Sequence, residues 1–151
     1  MKNFRLIGRE DIYCFSQRGT KFYTKVTEMV ENKVTYEIIG AALKVHTNLG
    51  PGLLESVYEH ALASELRKNG HEVRCQLGIP VEYEGDKFEI GFRLDILVDN
   101  LVIVEVKSIE ALADVHHKQL LTYLKLTGKR IGLLINFNCS RLKDSIVRII
   151  N

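Results

Sequence analysis

Two carboxylates and a lysine stand where an interior strand would ordinarily carry apolar residues alone. "LVIVEVKS" (Leu101 to Ser108) opens with four apolar residues and then sets Glu105 and Lys107 on one face, with Val106 pointing the other way. Just upstream, "FRLDILV" places Asp95 between Leu94 and Ile96. Charging the end of an interior strand is costly unless something pairs with the charge. One lysine cannot fully compensate two carboxylates, whereas a divalent cation can. Oxygen ligands with retained waters suit Mg²⁺ or Mn²⁺ and not zinc. A purely structural Glu105–Lys107 surface pair would contribute only ~0–1 kcal/mol and would leave Asp95 unexplained.

Other polar residues have plain readings when taken singly. Glu55 falls in the first turn of a helix, where the macrodipole favours an acid. Gln119 and Tyr123 are four apart on one helical face. His46 and His116 suit helix-face or capping positions.

The elements that must position these groups follow from periodicity. Val34, Ile38, Ala41, Ala42 and Val45 predict a helix from Glu31, stopped by "NLGPG" near Asn48. A second helix begins near Pro51 or Leu53, buries Leu54, Val57, Tyr58, Ala61, Leu62 and Leu66, and closes at Gly70. Strand signals follow in "HEVRCQL" and "IPVEYE", then a hairpin turn centred on Gly85-Asp86, then strands "KFEIGFRLDILV" and "LVIVEVKS". "ADVHHKQLLTYLKLTG" predicts a helix ending at Gly128, with Val115, Leu120, Leu121, Leu124 and Tyr123 as its stripe. "RIGLLINFN" predicts an interior strand, and Arg141 to Ile150 a terminal helix. The fold class is α/β, a mixed sheet with an antiparallel meander flanked by helices. Residues 1–30 have weak periodicity, with a turn suggested at Gly19, and form an arm or extension before a domain spanning 31–151. Met29 stands where an alternative start codon would serve.

The 151 residues are about one domain's worth, and 46% apolar with 26% charged residues is ordinary for a globular protein. No apolar run reaches the ~18 residues of a membrane span, and "MKNFRLIGRE" lacks a signal peptide's apolar stretch. Cys14, Cys75 and Cys139 are odd in number and form no CxxC pair, which points to reduced thiols in the cytoplasm. A net charge of +2 is small, yet from Lys118 onward seven basic residues face only Asp144. Such a stretch reads either as solvated helix faces or as a phosphate-facing patch.

In order along the chain, Asp95 followed by Glu105-Val106-Lys107 resembles the D…ExK signature of the PD-(D/E)XK nuclease superfamily, whose core is restriction-endonuclease-like. Glu55 on a preceding helix and Gln119 with Tyr123 as QxxxY match its RecB-like branch. "GLLESVY" (Gly52 to Tyr58) is similar to the GxxExxY signature, and the stretch from about Asn32 to Arg148 resembles the GxxExxY proteins of that superfamily. The resemblance implies a Mg²⁺- or Mn²⁺-dependent nuclease with nucleic acid, foremost DNA, as partner. It makes Asp95 and Glu105 metal ligands with the Val106 carbonyl as a third. Glu55 would bind the metal directly or through water. Lys107 would orient the attacking water, and Gln119 and Tyr123 would steady the site or the substrate backbone. The competing function is a noncatalytic nucleic-acid-binding or protein-interaction module that keeps the fold.

A shared cation constrains the register. A strict two-residue Asp99-Asn100 turn would set Asp95 opposite Val104 and send Glu105 to the other face. An odd connection or a bulge is required. A three-residue loop, Val98 to Asn100, would pair Asp95 with Ile103 and leave Glu105 as its diagonal neighbour, about 7–8 Å away.

Overall fold

The computed structural model describes the chain from Gly19 to Asn151. Helix α1 (Gly19–Leu49) and helix α2 (Glu55–Lys68) precede strands β1 (Val73–Tyr83), β2 (Asp86–Val98) and β3 (Val102–Lys107). Helix α3 (Asp114–Thr127), strand β4 (Ile131–Asn136), a 3₁₀ turn (Leu142–Ser145) and strand β5 (Ile146–Ile150) complete it. One five-stranded sheet has the order β1-β2-β3-β4-β5. All its pairings are antiparallel except β3–β4, which is parallel and crosses over through α3. This is a mixed, restriction-endonuclease-like α/β sheet flanked by helices.

Alternation sorts the core into two layers. Ile96, Val98, Val102, Val104, Val106, Ile131, Leu133 and Ile135 pack beneath α1 and α2. Leu94, Leu97, Ile103 and Leu134 pack against Leu120, Tyr123 and Leu124 of α3. β3 and β4 are covered on both faces, which is why their sequences are continuous apolar runs. Gly132 lets α3 settle: a Cβ there would meet the Leu120 side chain at 2.8 Å.

Four sequence-based expectations need correction. The first helix does not begin at Glu31. It is already helical at Gly19, where the sequence suggests a turn, while the rest of the proposed arm, with Cys14, lies outside the described residues. "HEVRCQL" and "IPVEYE" form one strand, and the hairpin turns on Glu84 and Gly85, both at positive φ, one residue earlier than expected. Three residues expected in buried stripes are exposed: Val115 at 62% in the first turn of α3, and Leu54 and Val57 at 73% and 41%, because the second helix begins only at Glu55 with Leu54 as its cap. The end of the chain is not a helix. β-Branched Ile146, Val147, Ile149 and Ile150 instead pair with β4 and cover what would be an open edge.

Candidate active site

The β2–β3 turn decides whether the two strand acids can meet. Asp99 and Asn100 both take positive φ, as a type I′ turn needs, and the Leu101 N–H donates to the Val98 carbonyl at 2.9 Å. Leu101 is then one residue extra, so Val98 pairs with Val102, Leu97 with Ile103 and Ile96 with Val104. The connection is odd, as a shared site requires, but the loop is Asp99 to Leu101, one residue later than the one expected. The pairing ends at Ile96 and Val104, which leaves Asp95 and Glu105 as the next residues on their strands.

The two acids lie at the carboxyl end of β3. The Val106 N–H donates to Asp95 Oδ2 at 2.8 Å, and Lys107 Nζ donates to Glu105 Oε1 at 2.9 Å. Glu105 is 2% exposed, and its other oxygen, Oε2, is buried without a hydrogen-bond partner. Burial and then the Asp95 charge push Glu105 up to about 7, against the pull of Lys107. Burial likewise raises Asp95, opposed first by the Val106 bond. For Lys107 burial works downward, but its bond to Glu105 and the surrounding acids outweigh it, so the ammonium is held charged.

Both helices flanking the strand end contribute. Glu55 opens α2, and its Oε1 accepts the Ser108 N–H at 3.1 Å. Its charge reaches Asp95, Glu105 and Lys107. From α3, Gln119 Nε2 donates to the Tyr123 hydroxyl at 2.7 Å. Burial raises Tyr123, the Gln119 bond opposes this, and Glu105 and Asp95 add to the rise. The phenol is thus kept neutral, its own hydrogen free to be donated. All six side chains singled out in the sequence therefore border one locus. His116 and His46 do not: His116 Nδ1 accepts the Ala113 N–H at the start of α3, and His46 Nε2 contacts the Cys139 carbonyl at 2.8 Å.

Residues of no evident chemistry hold the frame. Tyr58 is fully buried, stacks on Phe137 at 4.5 Å, donates to the Gly50 carbonyl at 2.6 Å and accepts the Leu53 N–H at 3.1 Å. It thereby pins the "GPGLL" loop that delivers Glu55. The buried Asn136 side chain accepts the Ile109 N–H and donates to its carbonyl, at 3.1 and 2.9 Å, fixing the chain just past Lys107. Ser108 and Asn136 carried no sequence signal. Tyr58 did, but as core and as the last letter of a motif. A cleft of about 560 Å³, lined by Gly52 to Ser56, Ser108 and Asn138, opens beside Glu55.

The donor set suits a hard cation that keeps waters. An orphaned, buried carboxylate oxygen within the influence of a second carboxylate is a site at which a cation restores both solvation and charge balance. Among the described residues no three acidic, histidine or cysteine side chains form a ready-made cage. Water and main-chain oxygen would complete the shell.

Three of the seven basic residues from Lys118 onward are placed away from this site or engaged elsewhere. Lys129 and Arg130 precede β4, at the sheet end opposite Lys107. Arg130 is engaged by Glu31 at 2.8 Å, and Arg141 lies 3.4 Å from Asp144. No described helix is long and apolar enough to cross a membrane.

The sequence profile of the PD-(D/E)XK nuclease superfamily matches residues 32–149. Comparisons with curated proteins and with solved structures find no match.

Proposed function

Because the chain belongs to the PD-(D/E)XK nuclease superfamily, we propose that it is a metal-dependent nuclease that hydrolyses phosphodiester bonds of DNA in the cytoplasm. Within the superfamily we place it, on "GLLESVY" and the QxxxY pair, with the GxxExxY proteins of the RecB-like branch. The observation that carries this reading is Glu105 Oε2, buried and unpartnered, on an acid that feels the Asp95 charge and is bonded to Lys107. A structural ion pair has no use for an oxygen in that state.

When bound, Mg²⁺ or Mn²⁺ supplies neutralisation of the phosphate and acidification of a water. Asp95 and Glu105, with the Val106 carbonyl, would hold the cation, and Glu55 would do so directly or through water. Lys107 orients the attacking water and offsets charge developing on the phosphate, as a preorganised group in a dry site can. Gln119 fixes the Tyr123 hydroxyl, which donates toward the site or the substrate backbone.

The test is incubation of labelled single- and double-stranded DNA and RNA with Mg²⁺ or Mn²⁺, beside Glu105→Ala. Metal-dependent cleavage of DNA, lost in the variant, is the expected result. Wild type that binds no divalent cation even with DNA present would replace this reading with a noncatalytic binding module.

A further inference from the structure

Asp95 has a second neighbour that no motif marks. In β1, Cys75 pairs with Ile96 and Leu77 with Leu94, which sets Gln76 opposite Asp95. Cys75 and Ile96 pack toward α1 and α2, whereas Leu77 and Leu94 pack toward α3. Residues two apart on a strand normally share a face. Both strands therefore change face at the Gln76–Asp95 position. The change is accompanied by a φ of +53° at Gln76, a region that a residue with a long side chain seldom occupies and that carries a cost.

The side chain that sits on this strained backbone spans two acids. Gln76 Nε2 donates to Glu59 Oε2 at 2.7 Å, and the ladder sets Gln76 across from Asp95, whose charged form its amide favours. Glu59 is buried on α2, one turn after Glu55 and on the same helical face. An amide NH₂ has two hydrogens, so one remains after the bond to Glu59.

We infer that Gln76 is a positioning residue for Asp95, anchored by Glu59, and that the face change in β1 and β2 exists to bring its amide there. This rests on the reading of Asp95 as a cation ligand. Glu59 acts through Gln76 and touches neither cation nor substrate.

Gln76→Gly separates backbone from amide, since glycine accepts the positive φ without strain. The variant should bind Mn²⁺ some ten- to a hundredfold more weakly, the usual effect of losing a group that orients a ligand. Glu59→Ala should weaken Mn²⁺ binding in wild type and add nothing in the Gln76→Gly background. A readout without metal follows from the Val106 N–H, which donates to Asp95. Its hydrogen exchange should quicken in Gln76→Gly while that of Leu133 in β4 is unchanged. Unaltered Mn²⁺ affinity and Val106 exchange in Gln76→Gly would overturn the inference. So would equal effects of Glu59→Ala in both backgrounds. Wild type that binds Mn²⁺ but cleaves nothing would sink the nuclease reading and leave these measurements decisive. Wild type that binds no cation leaves the Val106 exchange to decide.

Discussion

Among the described residues two glutamates are buried beside a basic partner, and they differ in what is left over. Glu31, 4% exposed on α1, meets Arg130 Nε at 2.8 Å near the start of β4. Glu105 meets Lys107 at the other end of the sheet. Among the described residues only Glu105 Oε2 and Thr35 Oγ1 are buried side-chain atoms without a partner. Glu31 joins α1 to the sheet and leaves no oxygen stranded. Glu105 shares its single ammonium with a site that holds Asp95 and Glu55 as well. Satisfaction, not burial or pairing, separates an acid that holds a fold together from one held ready for a ligand.

The comparison breaks most readily through the two bases. Lys107→Met keeps much of the stem's packing but removes the cation, and cleavage should fall by ~100-fold or more while Mg²⁺ affinity by titration calorimetry persists or rises. Arg130→Met should leave cleavage per folded molecule unchanged. It should instead lower stability by about 1–3 kcal/mol in denaturant titrations, because Glu31 loses its partner in a partly exposed pair. Wild-type cleavage by Lys107→Met would erase the distinction.

Acidity sharpens it. Glu105 titrates near 7 in the fold against an ordinary 4.5, so between those values the folded protein keeps a proton that the unfolded chain has released. The stability this provides is complete below about pH 4.5 and is lost as pH rises through about 7. Without metal, wild type should lose stability relative to Glu105→Gln across that window, by roughly 3 kcal/mol at most. Mg²⁺ competes with the same proton, so its affinity should climb over the same range. Melting curves at several pH values, with and without Mg²⁺, check both.

Smaller effects fall farther from the charges. Gly132→Ala drives a methyl into buried Leu120 and should cost about 1–3 kcal/mol, read by chemical denaturation. Since Leu120 adjoins Gln119 and Tyr123 along α3, some cleavage should go with it. Lys129→Glu should change DNA affinity least of all, because Lys129 lies at the sheet end opposite Lys107. A large loss in a salt-dependent binding assay would restore the basic patch.

Much of this was legible before any coordinates. Interior strands β3 and β4 announced themselves as unbroken apolar runs, and the acid-bearing strand ends were anomalous against them. The helix stop at Gly128 was equally plain, and its φ of +65° gives the reason. What was hidden depended on partners far along the chain. β5 is a strand because β4 offers it an edge, so its ten-residue context alone favoured a helix. The extra residue Leu101 was invisible because a two-residue turn and a two-residue turn plus bulge share the same Asp-Asn signal. Gln76 lay beyond reach altogether, since its strain is imposed by the sheet and not by its neighbours in sequence.

The Tyr58 hydroxyl has a consequence for how a ligand is received. It grips both the Gly50 carbonyl and the Leu53 N–H, so the loop leading to Glu55 is ordered by folding itself. The conformational entropy of placing that acid is therefore already lost before any cation arrives, and association has little left to organise on this side. Tyr58 never needs to touch a ligand to govern how tightly one is held.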